Sequence, residues 1–268
     1  MPTETGRSLA EIEAYWREAA SAETDADGLR PTARDPFLQE AVETAIERHL
    51  SGGDRLLDVG CGDGASTLRF AGRVREAVGI DYIDTFVSRA SAASAQRGIG
   101  NVRFRQASVL DLSELRRAEG VFDVAVSIRC LINLPEAAQQ AKGIAEIAAS
   151  VRSGGCYLAS EGWEEGMRGL NRLREAAGLP AIKTVSYNLL LPRAVFEAEA
   201  KQHFEIDGYH SLGFYLFMSR VVQPLVVAPE APRHDHRINQ VAVQLSRILN
   251  RSEFRDCDYA GVYVLRRR

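Results

Sequence analysis

The apolar residues of this chain keep two rhythms in turn. Runs of strand length at residues 55–59, 76–80, 102–107, 121–127 and 156–160 alternate with longer stretches in which apolar residues return every three or four positions. Strand followed by helix, repeated in this way, predicts a parallel sheet with helices on both faces. The connecting helices are expected from Ala65, through Phe86 to Gly98 or Gly100, from Leu112 with Asp111 as its cap, from Pro135 to Val151, and through Met167, which continues a helix to Gly178. Ser153-Gly154-Gly155 reads as the turn into the fifth strand.

Two helices precede the first strand. Ser8 can cap one whose inward side carries Leu9, Ile12, Trp16 and Ala19, with Tyr15 adjacent. Asp35 as cap and Pro36 at the first helical position begin the other, which runs to His49 or Leu50. The polar residues 21–30 between them read as a linker or loop. Later in the chain, residues 204–209 and 259–266 suit two further strands. Two segments exceed what plain connectors need: 161–192, and 211–255, the latter with a helix from Asp235 to about Leu249.

With 46% hydrophobic and 26% charged residues among 268, the chain can bury a large core. A formal net charge of -3 and a pI near 6.0 offer no general attraction to nucleic acid, and the one basic block is the terminal Arg266-Arg267-Arg268. Cys61, Cys130, Cys156 and Cys257 form no Cys-x-x-Cys pair and no zinc-like spacing, so reduced thiols and no metal are expected. The first residues lack the basic start and apolar core of a secretory signal, and the apolar run 221–227 is too short for a bilayer and contains Pro224. A cytoplasmic protein with neither membrane nor nucleic-acid partner is expected.

The most informative stretch is Leu-Leu-Asp-Val-Gly-Cys-Gly-Asp-Gly, residues 56–64. Its glycines permit positive φ and let a ligand approach the main chain. Gly60-Cys61-Gly62-Asp63-Gly64-Ala65 satisfies the dinucleotide pattern G-x-G-x-x-G/A, so two cofactor classes fit the turn. Asp58 and Asp63 would be poor neighbours for phosphates at a helix N-terminus, whereas the sulfonium and ammonium of S-adenosylmethionine suit them on charge grounds. Asp81 closes the second strand, where either cofactor class places the acid that accepts from ribose hydroxyls. Arg129, between apolar neighbours after the fourth strand, suits either a carboxylate of cofactor or product or a salt bridge to the edge of the fold.

The acidic-x-Gly-x-Gly-x-Gly run at Asp58, Gly60, Gly62 and Gly64, followed by a Phe-Asp-Val-x-Val strand at 122–126, resembles the class I S-adenosylmethionine-dependent methyltransferases, with motifs in order from Leu56 to Ser160. That resemblance implies an α/β, doubly wound, seven-stranded, mostly parallel sheet with an antiparallel seventh strand, N-terminal helices and cap insertions. It implies a helical lid at 1–52, a cofactor-binding half at 53–160 and a substrate-side half at 161–268. The expected cofactor contacts are Asp58, Gly60, Cys61, Gly62, Asp81, Tyr82 and Arg129, with Tyr15, Trp16 and Arg34 in the lid. The family's Gly-Asp after the third strand is replaced here by Ala107-Ser108, and Ser108 with the Val109 N–H would then meet the adenine.

Methyl transfer is an in-line displacement, so a protein must align the nucleophile, exclude water and take a proton where the acceptor carries one. Glu161, directly after the fifth strand, is placed to accept a proton or anchor an ammonium, with Trp163, Glu164 and Glu165 behind it; the same acids could equally be a solvated helix start. Tyr187 and Asn188 are further catalytic candidates, and Tyr15, Trp163, Tyr215 and Arg220 are candidate substrate contacts. His203, His210, His234 and His236 form no metal or nucleophile arrangement. The reading is a methyltransferase acting on nitrogen or oxygen of a small molecule, such as a secondary metabolite or a sugar. The alternatives are an NAD(P)-dependent oxidoreductase, against which the absence of a Tyr-x-x-x-Lys pair speaks, and a non-catalytic binding module. The 211–255 insertion fits either a cap over the pocket or a homodimer contact.

Overall fold

The computed structural model describes residues 6–21, 35–249 and 252–268. Helices α1 (Leu9–Ser21) and α2 (Pro36–Glu47) lead into β1 (Arg55–Val59), α3 (Ala65–Ala71), β2 (Glu76–Asp81), α4 (Asp84–Gln96), β3 (Val102–Gln106), α5 (Ser113–Glu119), β4 (Phe122–Ile128), α6 (Ala137–Ser150) and β5 (Val151–Ser160). Then come α7 (Glu164–Ala176), α8 (Arg193–Ala200), β6 (Phe204–His210), α9 (Gly213–Phe217), α10 (Gln223–Val227), α11 (Arg237–Ser246) and β7 (Val262–Arg267). The strands form one seven-stranded sheet in the order β3-β2-β1-β4-β5-β7-β6, with β7 antiparallel to both neighbours. This is the doubly wound α/β sheet expected from the alternation and the resemblance. Chain direction around the sheet reverses between β1 and β4, and a crevice opens there at the strands' C-terminal ends.

Local chemistry sets the helix starts. Ser8 and Glu11 form a reciprocal capping box: Glu11 N donates to Ser8 Oγ at 3.3 Å, and Ser8 N donates to Glu11 Oε2 at 2.7 Å. Asp35 caps α2 by accepting from Leu38 N at 3.0 Å, ahead of Pro36. Along β1 the side chains alternate, so Leu56 joins the core layer with Phe70, Val126 and Leu158, while Leu57 joins the opposite layer with Ala125, Tyr157 and Leu265. Both sheet faces are therefore covered. In α1 the deeply buried positions are Ile12 and Ala20 rather than Ala19.

Two boundaries depart from the sequence pattern. The expected turn at 153–155 lies inside β5, where pairing jumps from Phe122↔Val151 to Val124↔Cys156 and Gly154 takes φ 72°, so the irregularity is a bulge. Strand β7 begins only at Val262, because fully buried Asp258 holds the preceding residues in a bend by accepting from Ala260 N and Gly261 N. Asp258 also accepts from Leu212 N at 2.8 Å and the Tyr209 hydroxyl at 2.9 Å, which fastens the 211–255 insertion to the sheet edge. Among the described residues, no helix is long and apolar enough to cross a membrane.

Candidate active site

Past the end of β1 the backbone turns through Gly60, Gly62 and Gly64, at φ 74°, 55° and 83°. Gly60 N and Cys61 N both donate to Ile80 O, at 2.8 and 2.9 Å, which folds the turn against the end of β2. A Cβ on Gly60 would stand 2.6 Å from Cys130 Sγ, so the loop after β4 approaches the turn at a distance only glycine allows. Asp81 accepts from Gly62 N at 3.0 Å and from Ile83 N at 2.9 Å. Burial raises the Asp81 carboxyl to about 6, although those N–H groups oppose the shift.

These elements enclose a cavity of about 290 Å³ walled by Gly60, Gly62, Asp81, Tyr82, Arg129 and Trp16, with Ile83, Phe86, Asn133 and Asn188 completing it. Arg129 leaves β4 in the left-handed region at φ 54°, and its N–H donates to Ser160 O at 2.8 Å. For a residue with a Cβ that conformation costs about 1–3 kcal/mol. Its guanidinium donates to Gln39 Oε1 at 3.2 Å and has no carboxylate within ion-pair distance among the described residues. Burial lowers the pKa of this arginine, the mark of a cation short of compensation. Three buried polar atoms on the same wall, Trp16 Nε1, Asn133 Oδ1 and Asn188 Oδ1, have no hydrogen-bond partner. Helix α1 covers this end: Tyr15 stacks on Tyr187 with centroids 4.3 Å apart, and Trp16 meets Tyr187 and Phe86 at 5.5 and 6.5 Å.

A second cavity of about 320 Å³ shares Ile128, Arg129, Ile132, Val185 and Asn188 with the first. Fully buried Glu161 lines it, accepting from the Ser127 hydroxyl at 2.6 Å and from Ile132 N at 3.2 Å, and burial raises its carboxyl to about 7. On another wall Asp35 accepts from Arg220 Nη2 at 2.6 Å, from the Tyr215 hydroxyl at 2.7 Å and from Leu38 N at 3.0 Å.

Residues 56–155 match the family model described as a methyltransferase domain. That stretch is thus similar to a methyltransferase domain. The chain is 29% identical over 128 residues to an uncharacterized methyltransferase, YcgJ, of Bacillus subtilis, covering 45% of this chain and 48% of that one. It is 33% identical over 107 residues to the 2-heptyl-1-hydroxyquinolin-4(1H)-one methyltransferase of Mycobacteroides abscessus, covering 38% of this chain and 45% of that one. The match thus spans about half the length of these curated relatives. The chain's fold is that of the N-methyltransferase NodS from Bradyrhizobium japonicum, solved with S-adenosylhomocysteine, at a TM-score of 0.58, 12% identity and coverage of 96% and 98% of the two chains. It is also that of geranyl diphosphate methyltransferase solved with geranyl diphosphate and sinefungin, at 0.62, 14%, 97% and 98%.

The structure does not bring every expected residue to a cavity wall. Asp58 lies on the α3 face of β1, where its carboxylate accepts from the Thr67 hydroxyl at 2.6 Å and burial raises it to about 7; strand alternation points it away from both cavities. Cys61 packs behind the turn toward Gly79. Ser108 is exposed and accepts from Leu110 N, while Val109 is buried in the core, and neither lines a cavity. Trp163 is core: it is fully buried, donates to Gly261 O at 2.7 Å and packs on Phe196 and Tyr263. Tyr215 is fully buried behind Asp35 rather than in the cavity. The acids after Glu161 are engaged elsewhere, Glu164 with Arg168 and Glu165 with Arg193 N, so they make no ammonium anchor. Arg34 lies outside the described residues. Sequence reasoning missed Gln39, Asp35 as a cavity residue, Ile83 and Val185, and named Phe86 only as a helix position. Each lies on a local pattern already spent on capping or packing.

Proposed function

We propose that this chain is an S-adenosylmethionine-dependent methyltransferase that methylates nitrogen or oxygen of a small-molecule acceptor. One observation carries the reading: two cavities meet at Arg129 and Asn188 at the switch point of the sheet, one beside the glycine turn and the other walled by a buried carboxyl, Glu161. The residues of the first cavity fit the cofactor. Asp81 has lone pairs left for ribose hydroxyls beyond the two N–H groups it holds. Asn133 Oδ1 and Asn188 Oδ1 are acceptors awaiting a donor such as an ammonium, while Trp16 Nε1 and Arg129 can donate to a carboxylate. Tyr82, Ile83 and Phe86 offer apolar area to a purine.

When bound, S-adenosylmethionine supplies a sulfonium methyl open to in-line displacement. The chain's own part is to seat the acceptor in the second cavity, keep water out through α1 and the 179–191 segment, and take up a proton. Glu161 is the base on this reading, its carboxyl raised toward neutrality by burial, and Asn188 at the junction and Tyr187 on the first cavity's wall orient the partners. Calorimetric titration of S-adenosylmethionine, S-adenosylhomocysteine, NADH and NADPH tests the cofactor. Binding of the first pair is expected, and tight binding of a nicotinamide nucleotide with none of the sulfur nucleosides would overturn the reading. Transfer of a labelled methyl group to a panel of hydroxylated and amine acceptors separates an enzyme from a binding module.

A further inference from the structure

Resting on that reading, we propose that the acceptor carries an anionic group, a carboxylate or a phosphate, which Arg220 and Lys183 hold in the second cavity. Three cationic side chains line that cavity, Arg129, Lys183 and Arg220, against two carboxyls, Asp35 and Glu161. Both carboxyls are spent on the protein itself. Asp35 holds Leu38 N, the Tyr215 hydroxyl and one nitrogen of Arg220, and Glu161 holds Ser127 and Ile132 N.

Arg220 shares its charge with Asp35, yet the cations keep donors to spare. Arg220 commits Nη2 to Asp35, and its carboxylate contact leaves the rest of the guanidinium fork for a second, bidentate partner. Lys183 is exposed on the cavity rim and has no ion pair among the described residues. Arg220 sits on the π-helical turn Met218–Val222 between α9 and α10, and Asp35 stands at the start of α2, so their contact pins the arginine between two elements. With both carboxyls ionised the wall retains a net positive charge, and the proposed cofactor brings one more. An ammonium acceptor would enter this field at a cost, while an acid enters it favourably. The acceptor's nucleophilic atom is then a hydroxyl or a neutral nitrogen remote from its acid group, and Glu161 takes its proton while the methyl–sulfur bond breaks and the new methyl–oxygen or methyl–nitrogen bond forms.

The full chain saturated with S-adenosylhomocysteine should be titrated with two matched pairs: 4-hydroxybenzoate against 4-hydroxybenzamide, and glycerol 3-phosphate against glycerol. The charged member of at least one pair should bind about tenfold tighter, the worth of one charge-assisted contact, and the pair that responds tells carboxylate from phosphate. Arg220→Gln should erase that preference and Lys183→Gln should reduce it about threefold, with S-adenosylhomocysteine affinity kept in both, which reports an intact fold. Absence of a charge preference in both pairs, or a preference that survives in the Arg220→Gln and Lys183→Gln proteins alike, would overturn the proposal. Failure of the wild-type chain to bind S-adenosylhomocysteine would instead remove the reading beneath it.

Discussion

Arg129 donates to Gln39 Oε1 at 3.2 Å, and this bond joins the loop after β4 to the first turns of α2 at the wall between the two cavities. The arginine combines a left-handed φ with a largely desolvated charge, and each of the two costs stability. Substitution can separate them. Arg129→Gly should weaken S-adenosylhomocysteine binding about tenfold or more, yet unfold at a higher temperature than Arg129→Ala, because only glycine relieves about 1 kcal/mol of strain at φ 54°. Calorimetry and thermal melts of the two variants check both halves.

Asp81 ties Gly62 and Ile83 to the end of β2 and faces the first cavity. Asp81→Ala should cost the nucleoside at least about tenfold in affinity, since hydrogen bonds to a charged group are worth about 1.5–3 kcal/mol each. Asp81→Asn, which keeps one acceptor oxygen, should lose less. Equal affinities for wild type and Asp81→Ala would remove Asp81 from the ribose.

Glu161 gives a pH signature with a defined sign. Its folded carboxyl titrates at about 7 against an ordinary 4.5, because burial penalises the charge. The folded state therefore holds the proton more tightly, and the associated stability is present below the unfolded value and lost as pH rises through about 7. Glu161→Gln escapes that loss, so its melting temperature should gain on wild type between about pH 5 and about pH 8, by a free-energy change on the order of 3 kcal/mol. If Glu161 is the base, wild-type kcat/KM rises with pH through the same range, and the variant loses about a hundredfold or more in kcat with no remaining step near 7.

Trp163 offers the contrast of a residue that packs. Trp163→Phe removes the bond to Gly261 O and leaves a void between Phe196 and Tyr263, which should cost about 1–3 kcal/mol of stability. Nucleoside affinity and KM for an acceptor should stay within about twofold of wild type, the scatter expected of a residue outside both cavities. Chemical denaturation alongside calorimetry distinguishes the two effects.

Much of the framework was legible along the chain because its causes are local. Asp35 followed by Pro36 starts a helix wherever it occurs, and residues 55–59 are apolar enough to be buried on both faces. The glycines of the turn announce a backbone that approaches a ligand or another loop, and Gly60 does meet Cys130. Harder to read were residues whose role depends on orientation. Asp58 and Trp163 both sit beside the chemistry in sequence, but strand alternation turns Asp58 toward Thr67, and the pull of β7 draws Trp163 into the core.

Periodicity and turn chemistry, properties of neighbours in the chain, were enough to predict a parallel sheet with helices on both faces and a ligand at the glycine turn. The cavities came from folding alone: Asp35 meets Arg220 across 185 positions, Tyr15 bonds Tyr187 across 172, and Gln39 reaches Arg129 across 90. Pairings at such separation leave no repeating mark in a sequence, since each residue also satisfies a local pattern of its own. Only packing in three dimensions decides which of its faces is left for a ligand.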